Sequence, residues 1–463
     1  MSRAAPGERG LIARHAGTVL AGQLAVMAFG VTDTVVAGRF AQDALAALSV
    51  GSAIFISVFV SLMGGLQALL PIWAELSGAG RRAEVGRSVR QSLYVAAAAV
   101  ALGLIVLLHP EPLLRWTDVP AAMQAEVTRY LAVLALALPP ALLFRLYSTL
   151  NQSLGHPRLV TWLQIGALVV KLPLSVWWTF GGLGVPALGL VGCGLATVAV
   201  NWLMLALALW LMRTQPLYRE LRLWRRMERP DWQQLRQFAR LGVPGGLSVL
   251  VEVTSFTLMA LFIARLGTAA AAAHQIASNL TAVAYMVPLS MGLATSARVS
   301  HWLGAGDPAR ARHACRQGFE LTLAGALACA ATMVLARGPL AGLYSSDAAV
   351  AALAATLLVA TAAYHLADAV QTLCVFVLRC YRVTVLPLAI YCTLLWGIGL
   401  GGSYLLAYRG LGPWPAMASP LAFWIMSSAA LAMTAMLFLL LLARVLTGTR
   451  ADALAFSARP GGR

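Results

Sequence analysis

The sequence predicts an all-α polytopic membrane protein in which twelve transmembrane helices form two six-helix bundles. The chain of 463 residues is 60% hydrophobic and only 11% charged, and its mean hydropathy is +0.78. Soluble domains carry about 25% charged residues, so this composition excludes one. Apolar stretches of roughly 20 residues, enough to cross a hydrocarbon core of about 30 Å, recur along the chain. They lie near residues 14–38, 45–73, 88–108, 128–152, 159–181, 188–212, 238–264, 274–302, 314–336, 350–377, 384–408 and 416–444.

The twelve spans divide into two related halves. A shift of 226 residues aligns residues 39–91 with residues 265–317 without a gap, and 12 of these 53 positions are identical. A repeat of six spans keeps its orientation, so we expect a pseudo-two-fold axis along the membrane normal and two bundles that face a cavity. The predicted parts are an N-terminal bundle at 1–212, a cytoplasmic connector at 213–237, a C-terminal bundle at 238–446 and a cytoplasmic tail at 447–463.

Basic residues lie mostly on one side of the predicted spans. The termini and the loops after every second span carry about 25 of the 34 lysines and arginines, which by the positive-inside rule places both termini in the cytoplasm. The net charge of +17 suits the anionic lipid headgroups of that surface. We therefore expect membrane lipids as partners and no nucleic acid.

Four charged residues interrupt the apolar runs: Asp33, Lys171, Glu252 and Asp368. A charge at the centre of a bilayer costs roughly 2.5 kcal/mol or more, so such residues are rare unless function or a partner retains them. Lys171 is the only lysine of the chain. None of the four recurs at the 226-residue shift, although a residue that only held a bundle together would be expected in both halves. This asymmetry favours a functional role.

Two of the acids, Glu252 and Asp368, lie near the middle of their spans, counting about 1.5 Å per helical residue. Glu252 shares a helix face with Ser248 and Ser255. A proton and a sodium ion compete for a carboxylate in such a place, which is the chemistry of an ion-coupled antiporter. Asp368 belongs to a polar stripe at helical spacing whose other members are Thr361, Tyr364, His365, Gln371 and Thr372.

Asp33 and Lys171 lie at similar depths in the first bundle. By the same helical rise they are about 9 Å and about 15 Å from the outer end of their spans, a difference that a lysine side chain can bridge. We predict that Lys171 is the counter-ion of Asp33, with Ser175 on the same face as Lys171. The alternative is that Lys171 extends its side chain to the membrane surface.

The motifs of the chain do not predict an enzyme. Residues 304–307 spell the G-x-G-D string of intramembrane aspartyl proteases, but they lie in a loop whose repeat partner reads Gly-Ala-Gly-Arg, which favours a turn. An intramembrane hydrolase remains the alternative from another class. A P-loop needs Lys followed by Ser or Thr, and Lys171 precedes Leu172. The six cysteines contain no C-x-x-C pair, so we expect no metal or redox cofactor.

Five segments occur in the order and spacing of a known transporter family. Together they resemble multidrug and toxic compound extrusion (MATE) transporters, in particular the NorM-like bacterial branch, and the resemblance covers essentially the whole chain. The segments are VTDTVVAGR (31–39), GVPGGLSVLVEVTSF (242–256), AAHQIASN (272–279), LGAGDPARAR (303–312) and AAYHLADAVQ (362–371).

This resemblance implies an antiporter of a bacterial cytoplasmic (inner) membrane that exports organic cations and drugs by alternating access, driven by sodium or protons. The family's functional acids belong to spans 1, 7 and 10, which here gives Asp33, Glu252 and Asp368. Sodium, if it is the coupling ion, is expected at Glu252 and Asp368. Tyr364 and Tyr285 match aromatic positions that line the family's cation site.

Four further residues are candidates to line the cation or substrate path: His365, Gln371, Lys171 and Ser175. Many relatives carry asparagine near the position of Lys171, and a fixed cation there disfavours sodium in the first bundle. The expected substrates are cationic drugs or dyes, which compete for carboxylates and stack on aromatic faces. We expect a monomer that needs no cofactor besides its coupling ion.

A lipid-linked oligosaccharide or lipid flippase of the same superfamily is the alternative function. Such a flippase usually places several basic residues in its cavity to bind phosphate, whereas this chain offers mainly Lys171. A major facilitator also has twelve spans, but its loop signature G-x-x-x-D-R-x-G-R-R is not matched. The coupling ion, the range of substrates and the resting conformation stay open.

Overall fold

The computed structural model describes residues 7–116, 121–182, 184–410, 412–413 and 415–448. Within these ranges the chain is helical and has no β-strand, apart from one isolated bridge between Gly182 and Val185. Eleven helices are long and apolar enough to cross a membrane, and the bent pair Met123–Ala135 and Leu138–Ser153 forms a twelfth span if it counts as one. The predicted all-α polytopic fold is therefore confirmed.

The described chain forms two compact units, each with its own apolar core. The first unit runs from Ala21 to Gly246, and the second unit combines residues 7–20 with residues 247–448. The helices up to the connector are α1 (Glu8–Phe40), α2 (Gln42–Gln67), α3 (Leu70–Gly78), α4 (Arg82–Leu108), α5 (Glu111–Trp116), α6 (Ala121–Ala135), α7 (Leu138–Ser153), α8 (Pro157–Phe180), α9 (Leu190–Thr214) and a 3₁₀ turn (Pro216–Leu221). The helices after it are α10 (Trp232–Ala264), α11 (Thr268–Gly304), α12 (Pro308–Leu335), α13 (Arg337–Tyr344), α14 (Ala348–Cys380), α15 (Val385–Tyr391), a π-helix (Cys392–Gly402), α16 (Ser403–Tyr408) and α17 (Pro420–Thr447).

The compact units do not follow the predicted bounds at 1–212 and 238–446, because the connector packs within the first unit. Arg90 of α4 hydrogen-bonds Glu228, which lowers the pKa of Glu228 to about 2. The neighbouring Gln91 accepts from the backbone N–H of Asp231 at 2.9 Å. The connector is thus fastened to α4 by an ion pair and a backbone hydrogen bond.

The first turns of α1 belong instead to the second unit. Ile12 and Ala16 are buried against Ala294 of α11. Nearby, Arg298 donates to both carboxylate oxygens of Glu8, at 2.6 and 2.9 Å. At the other end of the chain, α17 ends at Thr447, and the predicted tail beyond residue 448 lies outside the described residues.

The helix boundaries follow the 226-residue repeat. Helices α2 and α3 together cover 42–78, and adding 226 gives 268–304, the bounds of α11. Helix α4 begins at residue 82, and adding 226 gives 308, where α12 begins. Two copies of one helical plan therefore underlie the two units.

The two copies differ where the sequence breaks a helix. In the first unit, Pro139 and Pro140 stand in the first turn of α7, where proline is tolerated but cannot continue α6. The repeat partner of Pro139 is His365 (139 plus 226), and there α14 runs through without a break. The long α14 therefore carries Asp368 and its neighbours on one continuous helix.

Candidate functional site

Asp33 and Lys171 form a buried ion pair in the first unit. Asp33 belongs to α1 and is 8% exposed, and Lys171 belongs to α8 and is 0% exposed. Lys171 Nζ lies 2.9 Å from Asp33 Oδ1 and 3.0 Å from Oδ2. The ion pair that the depths of the two residues predicted is present.

Polar and aromatic side chains of α1, α8 and α9 complete this site. Lys171 Nζ also donates to Thr197 Oγ1 at 2.7 Å, so all three ammonium hydrogens have acceptors. Ser175 Oγ and Thr197 Oγ1 each donate to the carboxylate at 3.4 Å. The Phe29 ring lies 5.8 Å from Nζ, within range of a cation–π contact. We call these five residues the Asp33 cluster, and their carboxylate, hydroxyls and ring face together surround one ammonium group.

In the second unit, Asp368 of α14 is held by hydrogen bonds to neutral side chains. Its Oδ1 accepts from Gln371 Nε2 at 2.8 Å and from Thr372 Oγ1 at 3.4 Å. The hydroxyl of Tyr391 donates to the other end of the Gln371 amide. Tyr285 of α11 lies within hydrogen-bonding reach of Thr372. The amide of Gln371 therefore links the Asp368 carboxylate to α15.

The second acid of this unit, Glu252 of α10, faces a small cavity. The volume of the cavity is about 30 Å³, whereas a buried water needs at least about 10–15 Å³. The space therefore suits about two waters or one small ion and is far below the several hundred Å³ of a drug-sized pocket. The polar or polarisable side chains that line it are Glu252, Ser255, Phe256, Met259, Tyr364 and Ser427.

Glu252 and Asp368 interact electrostatically, and we call these two acids with Gln371, Thr372 and Tyr391 the Glu252–Asp368 cluster. Among the described residues, no basic side chain forms an ion pair with either acid. The oxygen atoms of carboxylates and hydroxyls are the ligands that hard cations prefer. This cluster can thus hold a proton or a small hard cation without displacing a fixed positive charge.

A buried arginine of α14 contributes charge to the second unit from a distance. Arg379 is 6% exposed, and its guanidinium lies 5.2 Å from the ring centre of Phe376. It interacts electrostatically with Glu252 and Tyr391, and in the described part of the chain it forms no ion pair with Glu252 or Asp368. Arg379 was not among the site residues predicted from the sequence. Its position eleven residues after Asp368, close to three helical turns, is the signal that places it on the same face.

The remaining candidates differ in how closely they join the two clusters. Tyr364 lines the Glu252 cavity, and its ring lies 5.8 Å from that of Phe256 and 5.5 Å from that of Trp424. His365 is fully buried, and in the described part of the chain neither of its ring nitrogens has a hydrogen-bond partner. The structure therefore brings Tyr364 to Glu252 and leaves His365 outside the hydrogen-bond network of Asp368.

The loop that spells G-x-G-D is a helix cap. Gly306 has a φ of +74°, a conformation that glycine adopts without strain. The next residue, Asp307, caps α12 by accepting from the backbone N–H of Arg310 at 2.9 Å. A local structural role accounts for this motif, as the turn interpretation predicts. Across the described ranges, moreover, no group of three or more His, Cys, Asp or Glu side chains is placed to hold a metal ion.

Comparison with known sequences gives one consistent family. The MatE family profile matches residues 19–177 and 244–405. A probable multidrug resistance protein NorM of Aromatoleum aromaticum is 36% identical over 403 residues, 87% of each chain. The multidrug resistance protein PmpM of Pseudomonas aeruginosa is 34% identical over 400 residues, 86% of this chain and 83% of that protein. These matches extend across both units.

Solved structures share the fold at low sequence identity. The eukaryotic MATE transporter AtDTX14 superposes with a TM-score of 0.87 at 19% identity, covering 98% of both chains. A point mutant of the Vibrio cholerae MATE transporter VcmN gives a TM-score of 0.83 at 21% identity, covering 97% of this chain and 98% of that one. The helical plan described above is therefore that of these two transporters.

Proposed function

The chain belongs to the MatE family of multidrug efflux transporters, and we propose that it is an antiporter that exchanges organic cations for sodium ions or protons. It is a transporter and not an enzyme. The single observation that carries the proposal is the Glu252–Asp368 cluster. Among the described residues neither acid has an ion-paired base, Asp368 is buried, and the half-buried Glu252 lines a cavity of about 30 Å³, an arrangement that suits a coupling ion.

The size of the cavity supports binding of the coupling ion, and not of the drug, at this cluster. An organic dye needs a space of several hundred Å³. A proton or a sodium ion fits the volume beside Glu252, and oxygen atoms of Glu252, Ser255 and Ser427 are available to it. Binding of one such ion cancels a negative charge in a poorly solvated place, where charge interactions are strong.

Exchange follows from that change of charge. With the acids ionised, the protein attracts a cationic substrate from the cytoplasmic side. In the outward state, uptake of a coupling ion removes a negative charge and weakens the attraction for the substrate, which is released. The return to the inward state frees the coupling ion for the next cycle, so alternating access links the two fluxes.

We also propose where the protein acts. We assign it to the cytoplasmic membrane of a bacterium, with both termini in the cytoplasm, as a monomer without a cofactor besides its coupling ion. The partners are then cationic drugs or dyes and membrane lipids. A flippase for phosphate-bearing lipids is disfavoured, because the carboxylate of Asp33 already neutralises Lys171.

Transport by purified protein in liposomes tests this function. Sodium and pH gradients are imposed separately, and the movement of a cationic dye is followed for the wild type and for Glu252→Gln. We expect one gradient to drive dye movement by the wild type. In the variant the rate of gradient-driven dye movement should be about 5–150-fold lower, which is the usual range of a coupling free energy. The matched control is Glu320→Gln, which removes an exposed acid paired with Arg316. Dye movement that follows neither gradient in the wild type overturns the antiporter.

A further inference from the structure

We propose that Lys171 is a tethered competitor at Asp33: its ammonium group occupies a site that can instead bind the ammonium group of an organic cation, and its charge excludes sodium. The substrate class in this proposal rests on the proposed function. The observation that supports it is a complete binding site for an ammonium group, which the side chain of Lys171 fills.

The first step is the geometry of the Asp33 cluster. The two carboxylate oxygens of Asp33 and the hydroxyl of Thr197 accept from Lys171 Nζ at 2.7–3.0 Å, and the ring of Phe29 lies 5.8 Å away. An anion, a neutral acceptor and an aromatic face are the groups that bind alkylammonium ions. The site therefore already binds a primary ammonium group, that of Lys171.

The second step is the repeat. Subtracting 226 from Met259, which lines the Glu252 cavity, gives Asp33, and adding 226 to Lys171 gives Gly397. Gly397 has no side chain, and an added Cβ would meet no atom within 4 Å. Gly397 is exposed and is not among the residues that line the cavity. The second unit therefore has no side-chain cation at the repeat position of Lys171, and the lysine is a feature of the first unit.

The third step is charge. Lys171 and Asp33 together are neutral, so the cluster does not attract a second cation while the lysine is in place. A sodium ion would have to approach the fixed ammonium at short range in a buried site, where like charges repel strongly. An organic ammonium ion that replaces Nζ on Asp33 keeps the same contacts. Tyr130 and Cys193, which interact electrostatically with Asp33, are the other titratable groups that face it.

Chemical rescue tests the proposal on purified, detergent-solubilised protein without any gradient. The substitution Lys171→Ala removes three methylene groups and the ammonium, which are the atoms of n-propylammonium. We expect n-propylammonium chloride to raise the midpoint of thermal unfolding of this variant in a concentration-dependent way. The wild type, whose site is filled, should show no such rise, and neither should the double variant Lys171→Ala with Asp33→Asn.

Two control ligands separate charge from shape. Sodium chloride supplies a cation without the alkyl chain, and 1-propanol supplies the chain without the charge. Neither should raise the unfolding midpoint of Lys171→Ala as much as n-propylammonium does. Equal stabilisation of Lys171→Ala by sodium overturns the ammonium assignment, and no shift with any of the three overturns the site itself.

A second variant covers the case in which Lys171→Ala does not fold. The substitution Lys171→Met fills the space without charge, and its affinity for a fluorescent organic cation is measured by titration. If Lys171 occupies Asp33 for most of the time, its removal strengthens dye binding about tenfold or more, because the site is no longer competed for. An unchanged dissociation constant overturns the proposal. A wild type that uses no ion gradient overturns the proposed function and leaves these binding results interpretable.

Discussion

The two units hold the acids of their membrane-spanning helices in opposite settings. In the first unit, Asp33 is matched by a lysine at 2.9 Å and by two hydroxyls. In the second unit, Glu252 faces a cavity and Asp368 is held by neutral groups, with Arg379 as the distant charge. One helical plan is thus used twice, and at the repeat positions of Asp33 and Lys171 the second copy has Met259 and Gly397 in place of an ion pair.

On the proposed function, this difference gives the two sites different tasks. A neutral, fully hydrogen-bonded pair keeps its structure and resists small ions, whereas a pair of acids without a contacting base attracts them. One transporter can therefore bind an inorganic ion and an organic cation through carboxylates without the two ligands sharing one site. We therefore expect the acids of the second unit to bind the coupling ion and Asp33 of the first unit to select the substrate.

The largest effect is expected when the ion pair is broken on one side. Lys171→Met or Asp33→Asn leaves a buried charge without its partner, which destabilises a protein by roughly 3–5 kcal/mol. The double substitution removes both charges and should recover most of that loss. Denaturant unfolding in detergent across all four proteins measures the coupling. Additive losses in the double variant would show that the two residues do not act as a pair.

Building the first-unit pair into the second unit tests the comparison from the other side. Met259→Asp with Gly397→Lys copies Asp33 and Lys171 at the repeat positions, and Gly397 has open space for a side chain. Residue 259 lines the Glu252 cavity, so a lysine that pairs with the new carboxylate there should repel the coupling ion and reduce ion-driven transport by about 5–150-fold, the range of a lost coupling free energy. Met259→Leu with Gly397→Ala controls for the change of size. If the variant Met259→Asp with Gly397→Lys transports at the rate of the control, a fixed charge pair at these positions does not affect ion coupling, which contradicts the proposed role of the cavity.

A smaller effect is expected for the third acceptor of the lysine. Thr197→Val keeps the shape of the side chain and removes the hydroxyl 2.7 Å from Nζ. Hydrogen bonds to charged groups contribute about 1.5–3 kcal/mol, so unfolding should become easier by about that amount. Thr332→Val, which removes an exposed hydroxyl bonded to a backbone carbonyl, is the matched control. An equal loss in the two variants would mean that Thr197 contributes nothing specific to Lys171.

The smallest effect is expected at the connector, outside the membrane. Glu228→Gln removes the ion pair with Arg90, and partly exposed pairs contribute about 1 kcal/mol or less to stability. Because the pKa of Glu228 is lowered to about 2, its contribution is complete above the ordinary pKa near 4.5 and is lost only as the pH falls towards 2. Unfolding curves between pH 5 and pH 8 should therefore show a constant difference from the wild type. A difference that varies within this window would assign the contribution to another group.

Much of the fold was predictable because the lengths of the apolar stretches and the repeat of the helix boundaries can be recognised in short segments of the sequence. The spans, the repeat and the pairing of Asp33 with Lys171 follow from hydropathy and helical rise alone. The compact units did not follow the predicted bounds, because the contacts of Glu8 and Glu228 join segments that are 290 and 138 residues apart. Such contacts leave no periodic signal in the sequence.

The parts of the site that sequence reasoning missed come from other helices or from unusual backbone. Thr197 and Phe29 complete the Asp33 cluster from α9 and α1, and the face pattern of α8 does not indicate them. The π-helix beside the Glu252 cavity reads as an ordinary apolar span, since hydropathy does not distinguish π from α geometry. Only the packed structure shows that a cavity lies there.

Competition between ions and a cationic dye tests the central claim most directly. The dissociation constant of a fluorescent organic cation is measured for the wild type, Glu252→Gln and Asp33→Asn, with sodium or acidity increased in turn. We expect that one of these two ions weakens dye binding to the wild type, that this effect disappears in Glu252→Gln, and that it persists in Asp33→Asn, although the dye itself binds to that variant more weakly. Competition that persists in Glu252→Gln and disappears in Asp33→Asn would place the coupling ion in the first unit and contradict the account.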